Sequence, residues 1–358
     1  MDVAEQTDRI RVKFMTKAPV DHDRSEWLKR FPGSRPVWGR CEYIFDQEAT
    51  DYDWVVVYDD LPARAGGPRK HWEEVLACPR AHTMLITTEP SSIKPYGQGF
   101  LRQFGHVLTS QESWCIRHPG AIFSQAGLIW FYGNHGEGAS HDYLRSHLPV
   151  EKTRDIATVC SSKQQKHTLH NDRYRFTQRL KADLPEMDVF GHGVRFIEDK
   201  SEALDAYRYH LAIENHICEH HWTEKLSDCY LGMSLPIYYG CPNIADYFPE
   251  ESYLEIDLFN YDASLATIQK AIVDDEYSQR LSAIKEARRL FLEDYCTFAL
   301  ISRLVETRHD PGRIVDPEAT ILSRHAWRNA SVSNQLSFVW EKSYFRVRHS
   351  LFQKFKHR

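Results

Sequence analysis

Residues 207–240 read YRYHLAIENHICEHHWTEKLSDCYLGMSLPIYYG. Tyr209–Ile213 is a short apolar run of strand type. Glu214 and Asn215 follow at its carboxyl end, where open α/β sheets bind ligands. Thr223 is placed as a helix N-cap, with Glu224 and Lys225 in the first turn. Leu226, Cys229, Tyr230 and Met233 recur at helical spacing, Gly232 marks the helix end, and Leu235–Tyr239 is a second strand. A helix N-terminus has free N–H groups and a positive dipole end, so it suits a phosphate. Lys225 opposes that dipole unless an anion binds there. Glu224 would be repelled by phosphate and is suited instead to accepting hydrogen bonds from sugar hydroxyls. The pair points to a sugar nucleotide.

Outward from this stretch, strands alternate with helices, which predicts a largely parallel α/β architecture. In the N-terminal half, Ile10–Phe14, Trp54–Tyr58, Met84–Thr87, Val107–Leu108 and Leu128–Phe131 read as strands. Helical spacing spans His71–Ala77 and Tyr96–Phe104. Asp59 and Asp60 follow one strand and Glu89 another. A second unit starts near Glu151, with strands at Asp155–Cys160 and Met187–Phe190. Its helices are expected at Asn171–Leu184, Ser201–Ala206, Ala263–Val273 and Glu276–Leu292. The expected organisation is therefore 1–150, 151–323 and a tail, 324–358. In that tail Arg324, Arg328, Lys342, Arg346, Arg348, Lys354, Lys356 and Arg358 stand against Glu341, with aromatic residues interleaved. Such a helix can lie on an anionic membrane surface. The plainer expectation is a helix packed back on the body with a solvated basic face.

With 358 residues, 42% hydrophobic and 27% charged, the composition is that of a soluble globular protein of two domains. A net charge of −5 gives no global electrostatic case for nucleic acid. No apolar run is long enough to span a bilayer, and MDVAEQTDRIRVKF lacks the apolar core of a signal peptide. The eight cysteines form no C-x-x-C pair and read as buried reduced thiols. His216, Cys218, His220 and His221 invite a zinc reading, but their spacing matches no common structural site, so no metal is expected. Asp51-Tyr52-Asp53 precedes a strand instead of following one and is read as a loop.

The 207–240 stretch also resembles the signature of α-1,3-fucosyltransferases, glycosyltransferase family 10, whose pattern runs roughly Y-K-F-x-L-A-F-E-N, Y-V-T-E-K and V-P-V-x-x-G. The matching residues are Tyr207, Arg208, Leu211, Ala212, Glu214, Asn215, Thr223, Glu224, Lys225, Pro236 and Gly240. Departures fall at Ile213 and at His221-Trp222. The resemblance implies a GT-B fold, two Rossmann-like α/β domains facing across a cleft, with the acceptor domain first and the donor domain second. It implies an inverting transfer of fucose from GDP-fucose to a saccharide hydroxyl.

Arg173 opens R-Y-R-F-T-Q-R-L, similar to the family helix whose arginine contacts the diphosphate. Glu89, in T-T-E-P, matches the family's proposed base, with Asp59 and Asp60 as rivals. The implied donor contacts are Arg173, Glu214, Asn215, His221, Trp222, Thr223, Glu224 and Lys225. No cofactor is required, and a divalent ion is not expected to be essential. Lacking the N-terminal anchor of the family's animal members, the chain is expected to be a bacterial-type cytoplasmic enzyme, peripheral at the membrane if the tail binds lipid. Two alternatives stand: a different nucleotide sugar as donor, or a noncatalytic glycan- or nucleic-acid-binding protein using the tail.

Overall fold

The computed structural model describes residues 9–17, 26–62, 72–134, 139–162 and 168–356, with side chains up to 350. The first strands are β1 (Ile10–Thr16), β2 (Val37–Trp38), β3 (Cys41–Ile44), β4 (Trp54–Tyr58) and β5 (Glu73–Val75). They are followed by β6 (Thr83–Ile86), the short helix α1 (Gln98–Leu101), β7 (His106–Thr109) and β8 (Ala121–Phe123). Seven of these strands form one sheet in the order β2-β3-β1-β4-β6-β7-β8. All pairings are parallel except that of β2 with β3. Val12 lies opposite Trp54, and Val56 opposite Met84. The unbroken WVVVY of β4 is buried through Val57 because parallel sheets are covered on both faces.

Lys13 is the exception inside this sheet. Its ammonium is buried, 2.6 Å from Glu74 and 2.9 Å from the Ala49 carbonyl oxygen, and the Tyr52 hydroxyl donates to Glu74 at 2.9 Å. This pairing explains a difference from the sequence reading. The 71–77 segment, read as a helix, holds β5, with residue 71 outside the described residues. Its central glutamate turns inward to an ion pair, which hydrophobic periodicity cannot register. Leu128–Phe131 likewise forms no strand; the sheet's last strand is β8, seven residues earlier than that segment.

The second unit contains α2 (His141–Ser146), β9 (Arg154–Val159), α3 (His170–Asp183), β10 (Asp188–Phe190), β11 (Tyr207–Ile213) and α4 (Glu224–Leu231). After these come β12 (Leu235–Tyr239), β13 (Leu254–Glu255), α5 (Tyr261–Val273) and α6 (Glu276–Leu290), which runs into a π-helical turn at Phe291–Tyr295. Its five strands are all parallel, ordered β10-β9-β11-β12-β13. The order reverses between β9 and β11, so their carboxyl ends form a switch point of the kind that holds ligands.

The chain then returns to the first unit through α7 (Thr297–Glu306), β14 (Thr320–Leu322), α8 (Arg324–Asn329) and α9 (Val332–Lys356). The units are thus Met1–Gly127 with Thr297–Arg358, and Leu128–Cys296. The sequence reading ran the second domain on to residue 323. α7 belongs with the first sheet because Phe298 stacks on Phe31 at 3.9 Å and meets Tyr43 and Phe14 edge-on. β14 pairs antiparallel with β5. In α9, Phe345 is buried in the first unit's core against Trp114, and Glu341 accepts from the Gln98 backbone N–H at the start of α1. The tail is therefore packed on the body, while its outer face leaves Leu336, Val339, Trp340 and Val347 exposed.

Candidate functional site

The start of α4 is built as the sequence predicts, with Thr223 extended and capping the first turn. Its hydroxyl accepts from the Lys225 backbone N–H at 3.3 Å. The same hydroxyl donates into the Glu214 carboxylate at 2.9 and 2.8 Å, and the Thr223 N–H donates to it at 2.8 Å. Glu214 is fully buried. It therefore clamps the helix start to the end of β11 and does not meet a ligand itself. Gly240 makes room for this clamp: a Cβ there would lie 2.7 Å from Glu214 Cγ and 2.3 Å from the Tyr238 hydroxyl.

The far end of α4 is held by cations, where a helix dipole favours them. Arg288, buried, donates to the Tyr230 and Leu231 carbonyl oxygens and to those of Leu144 and His147 near the end of α2. Lys152 donates to the carbonyl oxygens of Gly232, Leu204 and Asp205 at 2.6, 3.1 and 3.0 Å. Burial pushes the Lys152 ammonium down to about 7.

Between these ends, α4 lines a recess of about 240 Å³ together with the carboxyl ends of β9 and β11 and the start of α3. Arg173, Lys200, Asn215, Glu224, Lys225 and Asp228 supply its polar wall. Lys225 Nζ lies 3.0 Å from Glu224 and 3.4 Å from Glu214. Burial opposes its charge, but Glu224 and Glu214 outweigh that and raise its pKa, against repulsion from nearby Arg173. Burial would also raise the Glu224 carboxyl; Lys225 and Lys200 prevail and bring it down to about 2, so it is an ionised acceptor. Of the buried side-chain polar atoms without a hydrogen-bond partner among the described residues, two belong to this recess: Arg173 Nε and Asn215 Oδ1. Buried polar groups are almost always paired, so these two mark places for ligand atoms.

Of the expected donor contacts, Arg173, Asn215, Glu224 and Lys225 come together in the recess, and Glu214 and Thr223 stand behind them. Trp222 does not reach it. Its indole is 1% exposed and packs edge-on against Tyr247, Phe248, Phe291 and Tyr295, so it supports the helix start from the core. His221 is buried too, its ring 5.5 Å from that of His216. His220 is engaged by Tyr247 and Asn243. Lys200 and Asp228 escaped the sequence reading. Lys200 lies 25 residues before Lys225, at the start of a one-turn 3-10 helix, Lys200–Ala203, too short to carry a periodic signal.

Glu89 lies in the first unit, exposed, just past the end of β6. Its loop is fixed by the Gln111 amide, which donates to the Glu89 and Lys94 carbonyl oxygens at 2.7 and 2.9 Å. The rival Asp59 is already taken: Lys94, Tyr96 and Thr88 donate to one oxygen at 2.5, 2.6 and 3.0 Å. Burial works to raise that carboxyl, and these partners outweigh it, leaving it below the usual range. Asp60 accepts from the Arg324 and Leu61 backbone N–H groups at the start of α8. Asp51-Tyr52-Asp53 is a loop, as read, with Asp53 accepting from the Arg11 N–H. All eight cysteines are buried, and none is in a disulfide.

Residues 149–280 match the model of "Glycosyltransferase family 10 (fucosyltransferase) C-term". An α-(1,3)-fucosyltransferase of Helicobacter pylori is 30% identical over 95 residues, which is 25% of this chain and 20% of that protein. An α-(1,4)-fucosyltransferase of Arabidopsis thaliana is 37% identical over 73 residues, 20% of this chain and 18% of that one. The chain thus spans about one fifth of the length of these relatives. A crystal structure of an α1,3-fucosyltransferase aligns over 83% of this chain and 94% of its own, at 15% identity and a TM-score of 0.49.

Proposed function

Because residues 149–280 match the C-terminal model of glycosyltransferase family 10, we propose that the protein transfers fucose from GDP-fucose to a hydroxyl of a saccharide acceptor, with inversion. The acceptor oxygen forms a bond to the anomeric carbon as the bond from that carbon to the diphosphate oxygen breaks. The hydroxyl proton goes to the Glu89 carboxylate, and GDP leaves. Arg173 and Lys225 balance the charge that develops on the diphosphate, where preorganised cations have their largest effect. Arginine suits this role because its planar fork holds two phosphate oxygens at once. The Glu224 carboxylate and the Asn215 side-chain oxygen accept from the donor's hydroxyls. The observation that carries this reading is the unpaired Arg173 Nε beside the capped start of α4 at a parallel-sheet switch point.

A second reading keeps the fold and changes the donor, because Ile213 lines the recess at a position where the family pattern has phenylalanine. Isothermal titration with GDP, UDP and ADP separates the two. GDP should bind most tightly, and tighter UDP or ADP binding would move the donor. A glycan panel incubated with GDP-fucose and read by mass spectrometry should then yield a fucosylated product; GDP binding without any product would refute the fucosyl reading. Glu89→Gln should bind GDP as wild type does and lose turnover, and full activity would remove it as the base. Transfer should persist in EDTA, since two cations and helix N–H groups meet the diphosphate.

The acceptor class we assign is a lipopolysaccharide or other surface glycan, modified on the cytoplasmic side of a membrane. No helix among the described residues is long and apolar enough to cross one. Support for peripheral contact comes from α9, where Trp340 and Leu336 are each 66% exposed on a helix carrying exposed Arg346 and Arg348. Flotation with anionic vesicles should retain the wild type and lose Trp340→Glu; equal flotation of both would refute contact through this face.

A further inference from the structure

A second recess of unit two adjoins the first and shares Val159, Ser161 and Lys200 with it. Among the described residues, Lys200 is thus the one charged side chain that lines both. Its backbone is fixed by a capping box, in which Asp199 accepts from the Ser201 N–H at 2.7 Å and Glu202 reaches back to the Asp199 N–H at 3.0 Å. Its ammonium lies 2.7 Å from Asp228 and 4.0 Å from Glu224, and 5.4 Å from the centre of the Phe131 ring. Asp228 is 2% exposed, and its other oxygen accepts from the Phe131 N–H at 3.1 Å. The aspartate cannot turn away, so it aims the lysine into the recess.

The charges around α4 balance without a ligand: Arg173, Lys200 and Lys225 stand against Glu214, Glu224 and Asp228. Glu214 lies behind the recess surface, and Asp228, in its wall, is already occupied by Lys200 and the Phe131 N–H. An incoming diphosphate therefore meets three cations on its own side. It also meets the unpaired Arg173 Nε, an independent sign that the wall is built for an anion.

Resting on the sugar-nucleotide reading above, we propose that Lys200 is a third cation on the donor's diphosphate, placed at the junction of the two recesses, and that Asp228 is its positioning residue. Lys200 stabilises the departing nucleoside diphosphate alongside Arg173 and Lys225. Asp228 acts only through Lys200.

The probes are GDP, inorganic pyrophosphate and guanosine, titrated calorimetrically into the full chain. Lys200→Met should raise the Kd for GDP and for pyrophosphate about tenfold or more and leave guanosine unchanged, because the lost contact is to phosphate. Lys200→Arg should keep most of the affinity. Should Lys200→Met alone fail to fold, Lys200→Met/Asp228→Asn leaves no lone buried charge and must show the same loss. Asp228→Asn should weaken GDP when Lys200 is present and cause no further loss in the Lys200→Met background; a purely structural aspartate would give additive losses. Wild-type GDP and pyrophosphate affinity in Lys200→Met overturns the role of Lys200 while the donor reading stands. A wild-type protein that binds neither nucleoside diphosphates nor pyrophosphate overturns both.

Discussion

Replacing Thr223 by valine removes one oxygen and preserves the branched shape. Besides the 3.1 Å bond from the Lys225 ammonium, which keeps Glu224 and Glu214 as partners, two things are lost. The first is the cap that accepts from the Lys225 N–H at 3.3 Å, worth about 1 kcal/mol in helices generally. The second is the hydroxyl that donates into the buried Glu214 carboxylate at 2.8 and 2.9 Å, and hydrogen bonds to charged groups are worth about 1.5–3 kcal/mol. The expected cost is the sum, about 2.5–4 kcal/mol. The Thr223 N–H bond to Glu214 survives, so the loss should not exceed that range. Native-state hydrogen exchange at residues 224–231 reads it locally, which matters because a two-unit protein need not unfold in one step. GDP affinity should fall about tenfold as the start of α4 loosens. Thr223→Ser keeps the oxygen and should restore both. Exchange in Thr223→Val within about 0.5 kcal/mol of wild type, the range of an ordinary surface change, would refute the clamp.

Gly240→Ala should act on the same clamp from the other side, since its Cβ would displace Glu214; both GDP affinity and the melting temperature should drop, and unchanged values would deny the close approach. Lys13→Met strands Glu74 in the core and should cost about 3–5 kcal/mol in urea unfolding, while Lys13→Met/Glu74→Leu should recover most of it; a single mutant of wild-type stability would show the pair to be dispensable. Lys152 gives a pH dependence. With its folded pKa near 7, well below that of an unfolded lysine, the native state binds fewer protons between about pH 7 and 10. Its contribution to stability therefore rises with pH across that window, and the difference between wild type and Lys152→Met should grow in the same direction. A difference independent of pH would mean that the three carbonyl oxygens keep the ammonium fully charged.

The β11–α4–β12 core was legible because each step is local. An apolar run, a cap three residues before the first helical repeat and a second apolar run are all signals within one turn or one strand. The structure keeps the bounds Leu235–Tyr239 and the Thr223 cap as read. What escaped the sequence depends on partners far along the chain. Glu74 looks solvent-directed until Lys13, 61 residues earlier, is set beside it. α7 is plainly amphipathic, but its apolar face does not say which sheet it covers. The resemblance sets His221-Trp222 beside the donor pocket and so implies Trp222 as a donor contact, whereas the side chain before an N-cap is free to turn into the core, and here four aromatic rings receive it. Lys200 carried no signal because the recess that gives it meaning is assembled from four separate segments.

The division of labour around α4 follows from the cost of burying charge. A lysine in the first turn opposes the helix dipole, and a guanidinium close by opposes the lysine. A fold that gathers Arg173, Lys200 and Lys225 at a helix start must hold them without spending their donors on each other. The structure does so with carboxylates placed to the rear or side: Glu214 beneath the cap and Asp228 one turn into α4. Arg288 and Lys152 anchor the other helix end through carbonyl oxygens, with the Asp205 carboxylate close enough to act on both. The result is a helix clamped at both ends whose cationic side has one nitrogen unpaired, on Arg173. If α4 were only a packing element, apolar residues at 173, 200 and 225 would stabilise it at least as well, because a buried ion pair rarely exceeds a hydrophobic replacement. A triple replacement of Arg173, Lys200 and Lys225 by methionine, made with Glu214→Gln, Glu224→Gln and Asp228→Asn so that no buried carboxylate is stranded, should therefore fold with little loss of stability and bind no GDP. Retained GDP binding in that variant would show that the anion is met elsewhere.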